Sequence, residues 1–302
     1  MLAAAIGIGS NSLRMLIAQV DPVNAQLHRI LRDREGLRVF AALDEKGAIS
    51  REMMDKAAQS VRAFVEKARS YPVERIHLFA TSAVRDASNQ QAFCDRIQQA
   101  VGIRPDVCSG ALEARLSFLG GTDAVPSGMI DIGGGSTEIV MGQGARIDFS
   151  TSLQIGAVRL FQEIPIQGSR DAYRVMERAA GVLASQCHFP PKLAPKLSWV
   201  GVGGTFTTAA ALIQDIPWSS KEDIHGFWIH RDAARRCMEE LACLDMPARL
   251  ALRGLSPQRA DIVVHGLAIL LSCMEALGID RIQASEYGNL EGYLKMKYFE
   301  KS

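Results

Sequence analysis

The stretch MIDIGGGSTEIVM (residues 129–141) decides how this chain is read. An apolar run enters three glycines and a Ser-Thr pair, then leaves as a second apolar run, the pattern of a strand, a tight turn and a returning strand. Residues 3–17, AAAIGIGSNSLRMLI, repeat the design: Gly9, Ser10, Asn11 and Ser12 form the turn and Arg14 follows on the returning strand. The copies differ in their carboxylates. Asp131 precedes the second turn, and its counterpart before the first is Gly7. A repeat of so long a period is no solenoid. It predicts two domains of one fold facing each other across a ligand cleft.

Working outward, Ser50 reads as a helix N-cap with Glu52 in the first turn. Met54, Ala58, Val61, Val65 and Ala68 then recur on one helical face. Residues 26–40 read as extended, 75–80 as a short strand, and 88–101 as a helix; another helix opens at 111. In the second half, 145–161 reads as a strand and a turn. Residues 169–186, 230–243 and 259–277 read as helices, and 196–212 as strand, Gly-rich turn and helix. Strands separated by helices predict an α/β fold. The Gly-, Pro- and polar-rich segment 120–128 sets the boundary, giving domains 1–124 and 125–302, with the closing helix a candidate to pack back on the first domain.

A chain of 302 residues with 48% hydrophobic and 22% charged residues has an ordinary globular balance. The formal net charge of +1 excludes a global field for a polyanion, so affinity for one needs a local basic cluster, and DNA is not an expected partner. Six cysteines without a CxxC pair read as reduced thiols. No basic residue precedes Arg14 as a signal peptide would require. The longest apolar run, 262–274, is interrupted by His265 and shorter than a membrane span, so it predicts a buried helix. These features together predict a cytoplasmic protein with no membrane partner.

The turns carry the chemistry. Gly133, Gly134 and Gly135 let a ligand approach the backbone, whose N–H groups can cradle an anion. Ser136 and Thr137 add hydroxyls. Asp131 and Glu138 bracket the turn, as suits a hard cation, Mg²⁺, beside phosphate. Further small-residue turns follow strands at Thr81–Ser82 with Arg85, at Gly156 with Arg159, and at Gly203, Gly204 and Thr205 before an Ala-rich helix. Ligands of α/β folds bind where such turns collect, and five of them predict a ligand with several phosphates. Glu113, in the first turn of a helix, could orient a water, although on spacing alone compensation of the helix dipole is the better account of it. No HExxH, CxxC, Walker loop or GxSxG motif is present.

IGSNSLRML, ATSAVRDASN, EARLSFLGG, IDIGGGSTEIV, IGAVRL, VGVGGTFTTAAAL, IHGF and MEALGID occur in this order along the chain. This ordered set resembles the exopolyphosphatase/guanosine pentaphosphate phosphohydrolase family of the actin-like, Hsp70 and sugar-kinase superfamily. The resemblance implies two actin-like (ribonuclease H-like) domains and a phosphatase that removes terminal phosphate from polyphosphate or guanosine pentaphosphate with Mg²⁺. By position, Glu113 matches the catalytic base; Asp131 and Glu138 match acids serving metal and phosphate. Such two-domain proteins often pair, which makes a homodimer a further expectation. The chain departs from the family pattern at Gly7, where the pattern has Asp; at Ala111 and Leu112, where it has acids; in VFAALDEKG (39–47), where glycines are replaced; and at Leu290, where it has Arg. The alternative is therefore a polyphosphate- or nucleotide-binding regulatory protein with impaired catalysis. A kinase reading lacks an acid placed for an acceptor.

Overall fold

The computed structural model describes residues 1–123, 125–188 and 197–300. Ala124, where the sequence reading closes the first domain, lies outside the described residues. The chain divides into two units, Met1–Gly120 with Asn289–Ser302, and Gly121–Gly288.

The first unit opens with β1 (Leu2–Ile8), β2 (Ser12–Asp21) and β3 (Gln26–Gly36), an antiparallel meander. The helix α1 (Arg51–Arg69) follows, its first turn capped by the Ser50 hydroxyl, which accepts from Met53 N at 3.2 Å. Met54, Ala58, Val61, Val65 and Ala68 all face the core, and so do Ala57 and Phe64. Then come β4 (Arg75–Ala80), the short α2 (Ser82–Arg85), α3 (Gln90–Val101), β5 (Asp106–Val107) and α4 (Gly110–Gly121). The sheet order is β3-β2-β1-β4-β5, with β4 parallel to both β1 and β5.

The second unit repeats this plan with β6 (Pro126–Ile132), β7 (Thr137–Gln143) and β8 (Arg146–Leu153) as its meander. Here one reading is corrected. The segment after β8 is not only a turn: Gly156 opens the helix α5 (Ala157–Glu163). Next are α6 (Ser169–Gln186), β9 (Ser198–Val202), α7 (Gly204–Gln214), α8 (Lys221–Ile224), β10 (Trp228–His230), α9 (Arg231–Cys243), α10 (Met246–Leu250), α11 (Val263–Leu277) and β11 (Arg281–Ser285). The sheet order β10-β11-β9-β6-β7-β8 contains the order of the first sheet plus one strand. The helix α11 begins later than the sequence pattern suggested, because residues 257–259 form a single 3₁₀ turn. It is apolar all round and so lies buried among β-sheet and helices. His265 within it bonds through Nε2 to the Ile164 carbonyl at 2.9 Å, and burial lowers its pKa, as for a core histidine. The last helix, α12 (Asn289–Phe299), returns to the first unit, where Leu290, Tyr293 and Leu294 join Ala3, Ala5 and Phe79 in an apolar cluster.

All six cysteines are free thiols; burial pushes those of Cys108 and Cys273 up to about 12. Among the described residues no helix is long and apolar enough to cross a membrane.

Candidate functional site

In the first unit the parallel strands β1, β4 and β5 end at the same edge of their sheet, so the segments that leave them are neighbours. The first is the turn Gly9–Ser12, closed by Gly9 N donating to Ser12 O at 3.0 Å. The backbone N–H groups of Leu37 and Arg38 donate to Asn11 O at 3.1 and 3.0 Å, and Phe40 N donates to Ser10 O at 3.0 Å, which pins the turn from the loop after β3. The second is Thr81–Arg85: Thr81 N donates to Ile8 O at 3.1 Å, and the Ser82 and Ser10 hydroxyls share a buried 2.7 Å hydrogen bond. The third is the start of α4, where the Ser109 hydroxyl accepts from Leu112 N at 3.2 Å. It presents Glu113, a buried carboxylate that accepts from Arg85 Nη1 at 2.7 Å; the same Nη1 also donates to the Cys108 carbonyl at 3.3 Å.

In the second unit the turn Gly133–Ser136 closes in the same way, Gly133 N donating to Ser136 O at 2.9 Å. Asp131 and Glu138 are register partners on β6 and β7 and therefore share a face. Both are buried, and Glu138 Oε1 accepts from the Ser152 hydroxyl at 2.7 Å. The first amides of α5 do not face outward to an anion: Ala157 N donates to Gly133 O at 3.0 Å, and Val158 and Arg159 N donate to Gly134 O at 2.9 and 3.0 Å. Arg159 Nε adds a 2.8 Å bond to Gly135 O, so α5 buttresses the glycine turn. A Cβ at Gly156 would lie 2.4 Å from Gly134 O, which explains glycine there by close packing. Thr137 spends its hydroxyl on the Ile155 carbonyl at 2.7 Å.

The third glycine turn lies at the N-terminus of α7. Gly203 has φ +93°, a conformation open chiefly to glycine, and a Cβ there would meet Asp131 Oδ1 at 2.8 Å. Beside it, Arg259 lies flat on Gly204, whose Cβ would sit 1.8 Å from Arg259 Nη2. Thr205, also buried, packs against Gly266. Arg259 escaped the sequence reading. It stands far along the chain in a segment with no local motif, and only the packing of residues 257–259 over α7 brings it to this turn.

Two side chains point to a ligand directly. Asn11 is 7% exposed and Ser136 1% exposed, yet the Asn11 amide and the Ser136 hydroxyl have no hydrogen-bond partner. Both sit in the duplicated turns, and buried polar atoms are nearly always satisfied. Anion oxygens would satisfy the donors in each turn.

Asp131 and Glu138 are the carboxylates beside the second turn that could hold a hard cation. Among the described residues no cluster of three or more His, Cys, Asp or Glu could hold a metal. The available set is the Asp131 and Glu138 pair, which suits an ion such as Mg²⁺ that keeps several waters and takes its remaining oxygens from substrate phosphate.

Comparison with known proteins gives consistent results. The sequence model described as the Ppx/GppA phosphatase family matches residues 16–298. "Exopolyphosphatase 2" of Mycobacterium tuberculosis is 32% identical over 96% of each chain. "Guanosine-5'-triphosphate,3'-diphosphate pyrophosphatase" of Photobacterium profundum is 28% identical over 92% of this chain, which spans 56% of that longer protein. Among solved structures, an exopolyphosphatase from Cytophaga hutchinsonii superposes with a TM-score of 0.85 at 26% identity, covering 99% of this chain and 98% of its own. The α/β architecture, with its repeated sheet, is that of two actin-like domains.

Proposed function

Because this chain belongs to the Ppx/GppA phosphatase family, matched from residue 16 to 298, we propose that it is a phosphohydrolase that removes terminal phosphate from inorganic polyphosphate or guanosine pentaphosphate. The observation that carries this reading is the pair of duplicated turns, each closed by the same backbone bond and each holding an unsatisfied buried side chain, Asn11 in one and Ser136 in the other. Phosphate oxygens would satisfy the donor in each turn.

On the first unit, the Gly9–Ser12 turn and the Thr81–Arg85 segment bind and orient phosphate. Glu113 is the residue that takes the proton from an attacking water. Arg85 Nη1 donates to its carboxylate at 2.7 Å and aims it. Phosphate oxygens compete for that guanidinium and release Glu113 to the water. On the second unit, the Gly133–Ser136 turn, Gly203–Thr205 and Arg259 bind phosphate, and Asp131 and Glu138 would hold Mg²⁺. Bound there, the ion supplies charge neutralisation on the phosphate oxygens. A cytoplasmic location and a homodimer are part of the same reading, supported by the free thiols and by the common pairing of such two-domain proteins.

The test is Glu113→Gln, assayed for phosphate release from polyphosphate and from guanosine pentaphosphate. A general base contributes about 10²–10⁴-fold, so turnover falls by that factor with the fold and ligand affinity retained. Turnover within about threefold of the parent removes Glu113 from the mechanism. Calorimetric binding of either substrate by the parent without turnover favours the regulatory alternative.

A further inference from the structure

We propose that His265 is a positioning residue for the phosphate turns of the second unit: the first turns of α11 tie down, through His265, the helix that carries the Gly133–Ser136 turn and, through Gly266, Thr205 of the other. The Gly133–Ser136 turn rests on α5, whose first amides donate to the carbonyls of Gly133 and Gly134 while Arg159 Nε bonds Gly135 O. Seven residues make α5, and a helix so short does not hold itself in water, so its far end needs an anchor. That anchor is His265. Its Nε2 meets the carbonyl of Ile164, the residue that ends α5, at 2.9 Å. Phe161 of α5 sets its ring edge-on to the imidazole, with centroids 5.5 Å apart and planes at 84°. The next residue, Gly266, is where α11 meets Thr205, because a Cβ there would lie 2.7 Å from Thr205 Oγ1. Gly266 N donates to Ile262 O at 3.0 Å, so both residues belong to one regular stretch of helix and move together. A shift of His265 is thus felt at both glycine turns.

The chemistry of the ring fits this role. A carbonyl oxygen only accepts, so Nε2 carries the proton and Nδ1 keeps a lone pair. His265 is 1% exposed, and its Nδ1 has no hydrogen-bond partner. A position filled for packing alone takes an apolar residue, as the buried Leu267 and Ile269 of the same helix do. Here a polar ring is kept for one donor. Among the described residues, the charged groups that act on it are Arg249 of α10 and Asp261 just before α11; α5 meets it with Phe161 and the Ile164 carbonyl. Burial opposes protonation most, and Arg249 adds to it; the Ile164 carbonyl and Asp261 favour the charged ring but are outweighed, so the pKa lies below its ordinary value. Arg249 cannot turn away, since Nε donates to Leu241 O at 2.9 Å and Nη1 to Ala260 O at 3.4 Å. Protonation therefore places a buried charge beside a fixed guanidinium, and acid pushes the ring from its place and loosens Ile164. The hold on the turns is complete above the ordinary imidazole value of about 6.5 and is lost as pH falls below it.

This inference rests on the phosphohydrolase reading, and one set of variants separates the two. Phosphate release from polyphosphate in Mg²⁺ is measured for the full chain, His265→Leu and His265→Gln from about pH 5 to 8. At neutral pH His265→Leu raises KM about tenfold, the loss of one buried hydrogen bond, and leaves kcat within about threefold, because Glu113 stands on the first unit. His265→Gln keeps an N–H for the Ile164 carbonyl and gains no proton, so it restores KM to within about threefold of the parent. As pH falls below about 6.5 the KM of the parent rises relative to that of His265→Gln, a ratio in which titration of the substrate cancels. Hydrogen exchange of residues 156–164 quickens in His265→Leu while α6 and α9 keep their protection. An unchanged KM in His265→Leu, a Gln variant no better than Leu, or parallel pH curves for parent and His265→Gln overturns the inference. Exchange quickened throughout the second unit marks a merely structural residue and overturns it too. If His265→Leu does not fold, the comparison of parent with His265→Gln decides. If the parent releases no phosphate, the phosphohydrolase reading fails, and the same comparisons, read as calorimetric affinity for inorganic tripolyphosphate, decide the inference by themselves.

Discussion

The two hairpins of this molecule occupy the same register and carry opposite charge. Across β8, β7, β6 and β9 the row reads Ser152, Glu138, Asp131, Val202. Across β3, β2, β1 and β4 it reads Arg34, Arg14, Gly7, Phe79. The turns above the rows close with the same backbone bond, at 2.9 and 3.0 Å. The backbone geometry is thus shared while the side chains differ: one hairpin carries two carboxylates, the other two guanidinium groups. Gly7 is the pivot of the difference. It sits in an ordinary strand and is not among the glycines with positive φ, so its smallness serves the Phe79 ring and not an unusual backbone conformation.

The comparison can be broken most decisively at Asp131. Asp131→Asn removes one of the two acids of the acidic row. The Mg²⁺ concentration for half-maximal phosphate release should rise by at least about 10–100-fold, the cost typical even of disturbing a metal ligand's support. A midpoint that stays put makes Asp131 a structural acid. The smallest effect sharpens the comparison. Ser152→Ala removes the 2.7 Å hydrogen bond to the buried Glu138 carboxylate. Since such a bond to a charged group contributes about 1.5–3 kcal/mol, the melting temperature should fall by several degrees and Mg²⁺ affinity should drop several-fold. An unchanged Mg²⁺ affinity would separate Ser152 from the acidic row.

Much of this was legible from residue order. The duplicated turns, the helix capped by Ser50 and the buried character of residues 262–274 all follow from local rules: glycine in tight turns, polar caps and unbroken apolar runs. The candidate residues Ser10, Ser82, Arg85 and Glu113 could be named one by one, but their convergence could not, because it depends on β1, β4 and β5 ending at one edge of a sheet. The helix α5 was missed because its first amides are satisfied by the carbonyls of Gly133 and Gly134, a partner the segment itself does not reveal. Arg259 was missed for a similar reason, lying over Gly204 from a distant 3₁₀ turn.

The sequence by itself determined the repeated strand-turn-strand plan, the two acids beside the second turn and the absence of one beside the first, since each is written in contiguous residues whose backbone preferences are local. The tertiary structure alone decided what the missing acid means. Gly7 and Phe79 are far apart in the chain and meet only because β1 pairs in parallel with β4. Arg14 and Arg34 become neighbours only through the pairing of β2 with β3. Strand pairing places residues by register and not by sequence distance, so the charge of a face is a property of the sheet that no single segment carries.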